Sequence, residues 1–353
     1  PMHIPVLHLT DSVSPPALPA ADITICSGRS GQAFLETALG AAEVTDTLLA
    51  DTAHTLSAPG NLYLCGGAWP LALTIQTHAG IFGSDGATIT GEGVRTPITI
   101  TGDGHHLTLK DITIADGLAT SASYSFGDAG GGIFCAGDST ISATGLTLSR
   151  NSATRGGGLY LEGCTAAITA LTATENTASF GAALHLIYGS LTLTDATISG
   201  SVSDFGALTL LDTSATISHA YFAGNDADWY GGALDVGYTD LTLSDSIFIA
   251  NHASLGGAAS IKHVEGTITD TFFIDNTARS GGAMYIDDYD FSTLYLEDVE
   301  MTDNIAENTG GGIYSLSSDV VLHITNNGIT DNSPDDIHFF FAGASYTLCL
   351  LYT

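Results

Sequence analysis

One short pattern returns through the second half of this chain at a nearly constant interval, and no other feature constrains the fold as strongly. It comprises a strand-like segment ending in Asn, a few small residues, two glycines or Gly-Ala, and a second strand-like segment. The key position falls at residues 151, 176, 201 (here a Ser), 225, 251, 276 and 304, with spacings of 25, 25, 24, 26, 25 and 28. Tyr221–Asn225 leads to Gly231-Gly232, and Phe272–Asn276 leads to Gly281-Gly282. A fixed period of this size marks a solenoid. Within each copy the hydrophobic alternation has period two, which is the strand signal. Gly, Ser, Asn and Asp, the residues that turns require, separate the strands. Two or three short strands cannot bury a core alone, but coils stacked at ~4.8 Å can. The expected fold is all-β: a right-handed, single-stranded parallel β-helix with an N-terminal cap.

Stacking places equivalent residues above one another. The residue three before each key position is then an inward column: Leu148, Ala173, Ile198, Phe222, Phe248, Phe273 and Met301. Asn151, Asn176, Asn225, Asn251, Asn276 and Asn304 form a column of their own. Stacked side-chain amides can bond along such a ladder and satisfy polar groups at a bend; ligand contact is the alternative reading. The glycines that follow allow a positive φ or a close backbone approach at the next corner.

The pairing of F-x-x-N with G-G-A-[I/L] resembles the polymorphic outer-membrane protein repeat of bacterial surface proteins. The resemblance covers residues 146–312 clearly and, with gaps, 84–332. It implies a secreted or surface-exposed passenger, with adhesion as the usual role. One departure is plain: residues 335–353 are too short for the transmembrane barrel of autotransported members.

Four segments are expected. Residues 1–21, with Pro15, Pro16 and Pro19, read as an extended arm. Residues 22–83 read as the N-terminal cap and first coils, with a capping helix over Gly31–Leu49. Residues 84–334 carry the β-helix repeats, in which Asp116 takes the Asn place of a degenerate coil. Residues 335–353 form C-terminal strands or a plug. Leu118–Ala129 interrupts the period as an insertion, and its Tyr124 and Phe126 either pack back on the coil or bind a ligand.

Composition narrows the partners. Seven Lys and Arg against 38 Asp and Glu give a formal net charge of -31. Such a surface repels phosphate backbones and anionic lipid, which excludes nucleic acid as a partner. No apolar run reaches the ~18 residues of a membrane span. The opening Pro1-Met2 suits a cleavage scar, so the lack of a leader carries no weight, and the expected location is extracellular or the outer cell surface. Cys26 and Cys65 sit in matching strand contexts and are a candidate disulfide, with two adjacent buried thiols as the alternative. No other cysteine spacing suggests a metal site. No cofactor is called for, although Ca2+ remains compatible with the acidity.

The position after each Gly-Gly-x-Φ is expected to face outward, giving a surface column through Phe134, Tyr160, His185, Thr209, Asp235, Ser260, Tyr285 and Tyr314. Glu162, Lys262 and Asp287 lie two residues on. Aromatics beside carboxylates suit sugar faces and hydroxyls, so Tyr160, Glu162, His185, Asp235, Tyr285, Asp287 and Tyr314 join Tyr124 and Phe126 as candidate ligand contacts. An ordinary solvated face with strand-favouring Tyr is the competing reading. Three functions follow in order. The first is an adhesin-like or glycan-binding protein whose partner is an extracellular glycan or a host or cell-surface protein. The second is a polysaccharide lyase or glycoside hydrolase on the same scaffold, for which no catalytic set is identifiable. The third is a structural protein that associates end to end.

Overall fold

The computed structural model describes residues 32–37, 40–44, 53–119, 128–287, 292–316, 320–340 and 345–349. The described residues are all β or irregular. They form a parallel β-solenoid of about 10 turns, and no helix among them is long and apolar enough to cross a membrane. A full coil has four strands, not two or three. In one representative coil these are Leu159–Glu162, Thr165–Thr169, Thr172–Thr174 and Thr177–Phe180. Each pairs in parallel with its counterpart one coil on, so the next coil repeats as Leu184–Ile187, Ser190–Thr194, Thr197–Ser199 and Val202–Phe205. Parallel coil-to-coil pairing begins at Ala53–Leu56.

Among the described residues of 31–49 there is no helix of the kind expected. Gln32–Thr37 and Gly40–Val44 are strands that pair antiparallel with each other, and Gln32–Thr37 also pairs antiparallel with Gly60–Cys65. An antiparallel pair satisfies the open edge of the first coil through backbone hydrogen bonds, which a helix laid across that edge would not supply. Cys65 is fully buried and disulfide-bonded. Cys26, its candidate partner, lies outside the described residues, as do Tyr124 and Phe126.

Period-two alternation fills the interior. The inward column from Leu148 to Met301 is fully buried throughout. Where it becomes aromatic the rings stack along the axis, with centroids 4.5 Å apart for Phe222–Phe248 and 4.8 Å for Phe248–Phe273. Each such side chain is worth ~1.5–3 kcal/mol for its burial.

The bend between the third and fourth strands carries the Asn column. The backbone N–H and the Nδ2 of Asn251 both donate to Asn276 Oδ1 at 3.0 Å, and the same pair of bonds joins Asn276 to Asn304. Each Nδ2 also donates to an inward-column carbonyl, as Asn276 does to Phe248 O at 2.9 Å. The ladder runs one coil further than the repeat suggests, because Asn304 bonds in the same way to Asn332. At the other end the Asn place belongs to Gly117, not Asp116. Ile114 and Ala115 align with Leu148 and Ser149, and the Gly117 N–H donates to Asn151 Oδ1 at 2.9 Å. Asp116 instead aligns with Arg150 and forms a two-point ion pair with its guanidinium at 2.8 and 3.0 Å.

Asp116 belongs to a corner column held at positive φ, together with Asp275, Asp303 and Asp331. A second corner, between the second and third strands, holds Asp111, Asp195, Asp245, Asp270 and Asp298 in the same conformation. Asp tolerates the left-handed region better than most side chains do. Part of the acidity is therefore turn chemistry, repeated once per coil. The third corner, from the fourth strand back to the first, is tighter. At Gly181 and Gly231 a Cβ would lie 2.2 and 2.1 Å from the carbonyl oxygens of Leu184 and Leu234, so only Gly fits.

Candidate functional site

The column expected to face solvent is in register but not exposed. Tyr160 aligns with Phe134 and His185, and Asp235 with Thr209 and Ser260. Relative exposure is 5% for Tyr160, 1% for His185, 6% for Asp235 and 3% for Tyr285. The tight Gly corner explains the burial, because it folds the end of each fourth strand over the column. The Phe180 ring lies edge-on 6.1 Å from His185, Thr209 Oγ1 donates to Phe205 O at 2.7 Å, and Tyr230 sits 6.0 Å from Tyr285.

The result is a second, minor core outside the first strand column. Its rings stack on one another: Phe134–Tyr160 at 5.6 Å, Phe180–Phe205 at 4.6 Å, Tyr285–Tyr314 at 5.7 Å. Faces engaged in this way are not available to a sugar ring. Tyr160 donates its hydroxyl to Glu162 Oε2 at 3.1 Å, and burial followed by the Glu162 charge pushes its pKa up to about 12. Burial and the Asp287 charge likewise raise Tyr314. Burial, reinforced by Arg155 and only partly opposed by the Phe180 backbone, pulls His185 down to about 3, so it is neutral. Burial raises Asp235 against the opposing pull of Lys262. The Lys262 Nζ stands 3.6 Å from Asp235 Oδ1 and 3.5 Å from the Tyr230 ring centroid, which gives a cation–π contact beside a weak ion pair.

The chemistry expected of that strip occurs one turn further round the coil. The junction of the first and second strands aligns Gly163, Tyr188, Asp212, Tyr238 and His263, as the flanking pairs dictate; it is a bend at the first three, whereas Tyr238 and His263 lie within the continuous strands Leu234–Ser244 and Ala259–Thr269. Tyr188 and Tyr238 are 63% and 57% exposed, and both have positive φ. For a bulky side chain that conformation is strained by ~1–2 kcal/mol. Tyr238 leans on His263 with ring centroids 4.8 Å apart. Together they edge an open depression of about 420 Å3 whose floor includes Asp240, Glu265 and Thr293. It continues into one of about 400 Å3 over Thr216, Thr242, Thr267 and Tyr295. Asp240 and Glu265 are aligned on adjacent strands, and Tyr295 is 45% exposed, with one face stacked on His323 at 4.5 Å.

This arrangement offers ring surface, two carboxylates as hydrogen-bond acceptors and a row of hydroxyls, all to solvent. Sequence reasoning passed over Tyr238 and His263 because they fall between the two alternating segments of their coils, at a positive-φ position where the two strands run together. Their signal was a bulky residue at a position where other coils carry Gly163 or Asp212. A third depression, of about 280 Å3, lies on the fourth-strand face between Asp226, Asp228, His252 and Arg279. Among the described residues no three His, Cys, Asp or Glu side chains converge as metal ligands.

One covalent link was not foreseen: Cys135, inward in its first strand, is disulfide-bonded to Cys164 of the next coil. The chain matches no family model, no curated protein and no solved structure, so the fold rests on the register of its coils and the polymorphic-repeat likeness on the motif alone.

Proposed function

We propose that the chain is a recognition solenoid of a secreted or surface protein that binds an extracellular glycan across the Tyr238–Tyr295 depression without cleaving it. One observation carries the reading. Tyr238 is exposed and conformationally strained beside Asp240 and Glu265, and strain of this kind is retained where a site needs the side chain. Two features support it. A cross-coil disulfide persists in oxidising compartments, which are extracytoplasmic in most organisms. The net charge of -31 disfavours polyuronates and other anionic polymers, so neutral or amino sugars fit best.

The test is a glycan array followed by calorimetric titration with the best oligosaccharide. Tyr238→Ala and Asp240→Asn should each weaken binding ~10-fold or more, as loss of a buried contact worth ~1.4 kcal/mol does. Release of reducing ends from the bound glycan would replace this reading with the hydrolase one, for which the aligned Asp240 and Glu265 are the candidate pair. Self-association has an observation of its own. Tyr221, Ile247 and Phe272 form an aligned, exposed apolar file on the third-strand face, and sedimentation of Ile247→Asp against the parent chain tests it.

A further inference from the structure

The strip beneath the glycine corner holds a pair of groups that glycan recognition does not use. Among the described residues Asp235 is the only buried carboxylate, in a chain that carries 38 Asp and Glu. Carboxylates are almost never buried unless paired. The partner of Asp235 is Lys262, one of only two lysines in the sequence, with its Nζ 3.6 Å from Oδ1. A chain with so few amines places one of them on its one buried acid.

Strand pairing explains the meeting. Leu234–Ser244 and Ala259–Thr269 run parallel in adjacent coils, with Asp235 opposite Ser260 and Gly237 opposite Lys262. Asp235 and Lys262 are therefore diagonal neighbours on one face, a separation that a long side chain can bridge. Gly237 has no side chain to stand between them. Tyr230, at the end of the preceding fourth strand Asp226–Tyr230, covers the amine with its ring centroid 3.5 Å from Nζ.

As an ion pair the contact is poor. Charge-assisted hydrogen bonds of this kind run at ~2.7–2.9 Å, and a buried pair must offset the cost of stripping water from both ions. Burial, the largest influence on Asp235, works against its charged form. One proton passed from the ammonium to the carboxylate leaves an amine beside a carboxylic acid. Both are then neutral, as burial favours, and they are the partners of amide formation.

We propose that Lys262 and Asp235 join in an isopeptide bond that ties one coil to the next. Nζ attacks Cγ, so that a C–N bond forms and a C–O bond breaks. The two protons that the nitrogen gives up leave with the released oxygen as one water, and no oxidant or cofactor enters. Held in one site, such a pair has an effective concentration of ~10⁵ M or more. The covered site expels the water that would reverse the step. Unlike the Cys135–Cys164 bond, this link survives reduction.

The experiment is the intact mass of the whole chain, incubated folded until the mass is constant, then reduced and denatured. The mass should fall short of the sequence mass by one water. Lys262→Arg, which keeps the charge and the stem, should restore the full mass, and so should Asp235→Ala. Trypsin gives a second readout, since Lys262 is the only Lys or Arg between Arg155 and Arg279. The parent should yield one uncut peptide 156–279 whose fragmentation places the lost water between Asp235 and Lys262, while Lys262→Arg is cut at that position. Full sequence mass in the parent overturns the proposal, and so does a water loss that Lys262→Arg retains. Neither residue lines the Tyr238 depression, so failure of the bond leaves glycan binding standing, and the converse holds.

Discussion

The Ser201 N–H donates to Asn225 Oδ1 at 3.1 Å, while Ser201 Oγ, in a residue only 1% exposed, has no hydrogen-bond partner. At the neighbouring ladder positions an Asn both donates to the next side chain and receives from the previous coil. The serine is too short to receive, so the ladder is interrupted between Asn176 and Asn225.

Ser201→Asn should therefore raise stability by about 1 kcal/mol, the net worth of a restored buried hydrogen bond. The converse change, Asn251→Ala, removes an oxygen that accepts two bonds from Asn225 and an amide that donates two more. It should cost about 3 kcal/mol or more by the same rule. Urea midpoints of the two variants against the parent decide this, and a neutral Ser201→Asn would show that the ladder is not a source of stability.

The Cys135–Cys164 bond spans 29 residues and ties one coil to the next. Closing a loop of that length in the unfolded chain is worth about 3–4 kcal/mol in the chain-entropy account. The double variant Cys135→Ala, Cys164→Ala should lose most of that in denaturant unfolding. A loss below about 1 kcal/mol would mean that coil stacking already holds these segments together in the unfolded ensemble.

His185 makes the fold acid-sensitive in a defined window. Its pKa falls from 6.5 to about 3 on folding, chiefly through burial. Between those values the unfolded chain binds the extra proton, so this contribution is complete above ~6.5 and drains away as pH falls toward 3. Asp235 acts in the opposite sense, since a raised carboxyl pKa favours the folded state on acidification. His185→Leu isolates the histidine. The parent should lose stability relative to that variant by up to ~1.4 kcal/mol per pH unit below ~6.5. Parallel acid profiles would remove His185 as the cause.

Tyr238 should show a trade between stability and binding. Tyr238→Gly relieves a left-handed side chain and should raise the unfolding free energy by ~1 kcal/mol while abolishing glycan binding. Thermal melting and titration on the same preparation report both. A variant that gains no stability would remove the strain argument, and one that still binds would remove the site.

Much of this protein was legible before any fold was known, and the reason is repetition. Spacing of the Asn and Gly pairs specified the solenoid, the inward column and the ladder, because each coil poses the same local problem and solves it with the same residue types. Legibility failed where the period is silent. Gln32–Val44 has a helix-like distribution of apolar residues, yet it is drawn into strands by the open edge of Gly60–Cys65. The Asn place shifted from Asp116 to Gly117 because register is set by pairing, not by residue likeness.

The sequence by itself determined the repeat, the strand period and which residues face inward. Only the tertiary structure decided which outward residues meet water. Period-two alternation separates two faces of a strand but cannot say what folds over the outer one. The glycine corner lays Phe180, Phe205 and Tyr230 across Tyr160, His185 and Asp235, so a strip that alternation assigns to the surface becomes a second core. Tyr238, at a positive-φ break in the strand Leu234–Ser244 that alternation does not describe, becomes the exposed ring. The physical reason is that burial is set by where neighbouring segments return in space, and in a coil that return is governed by the corners rather than by the strands.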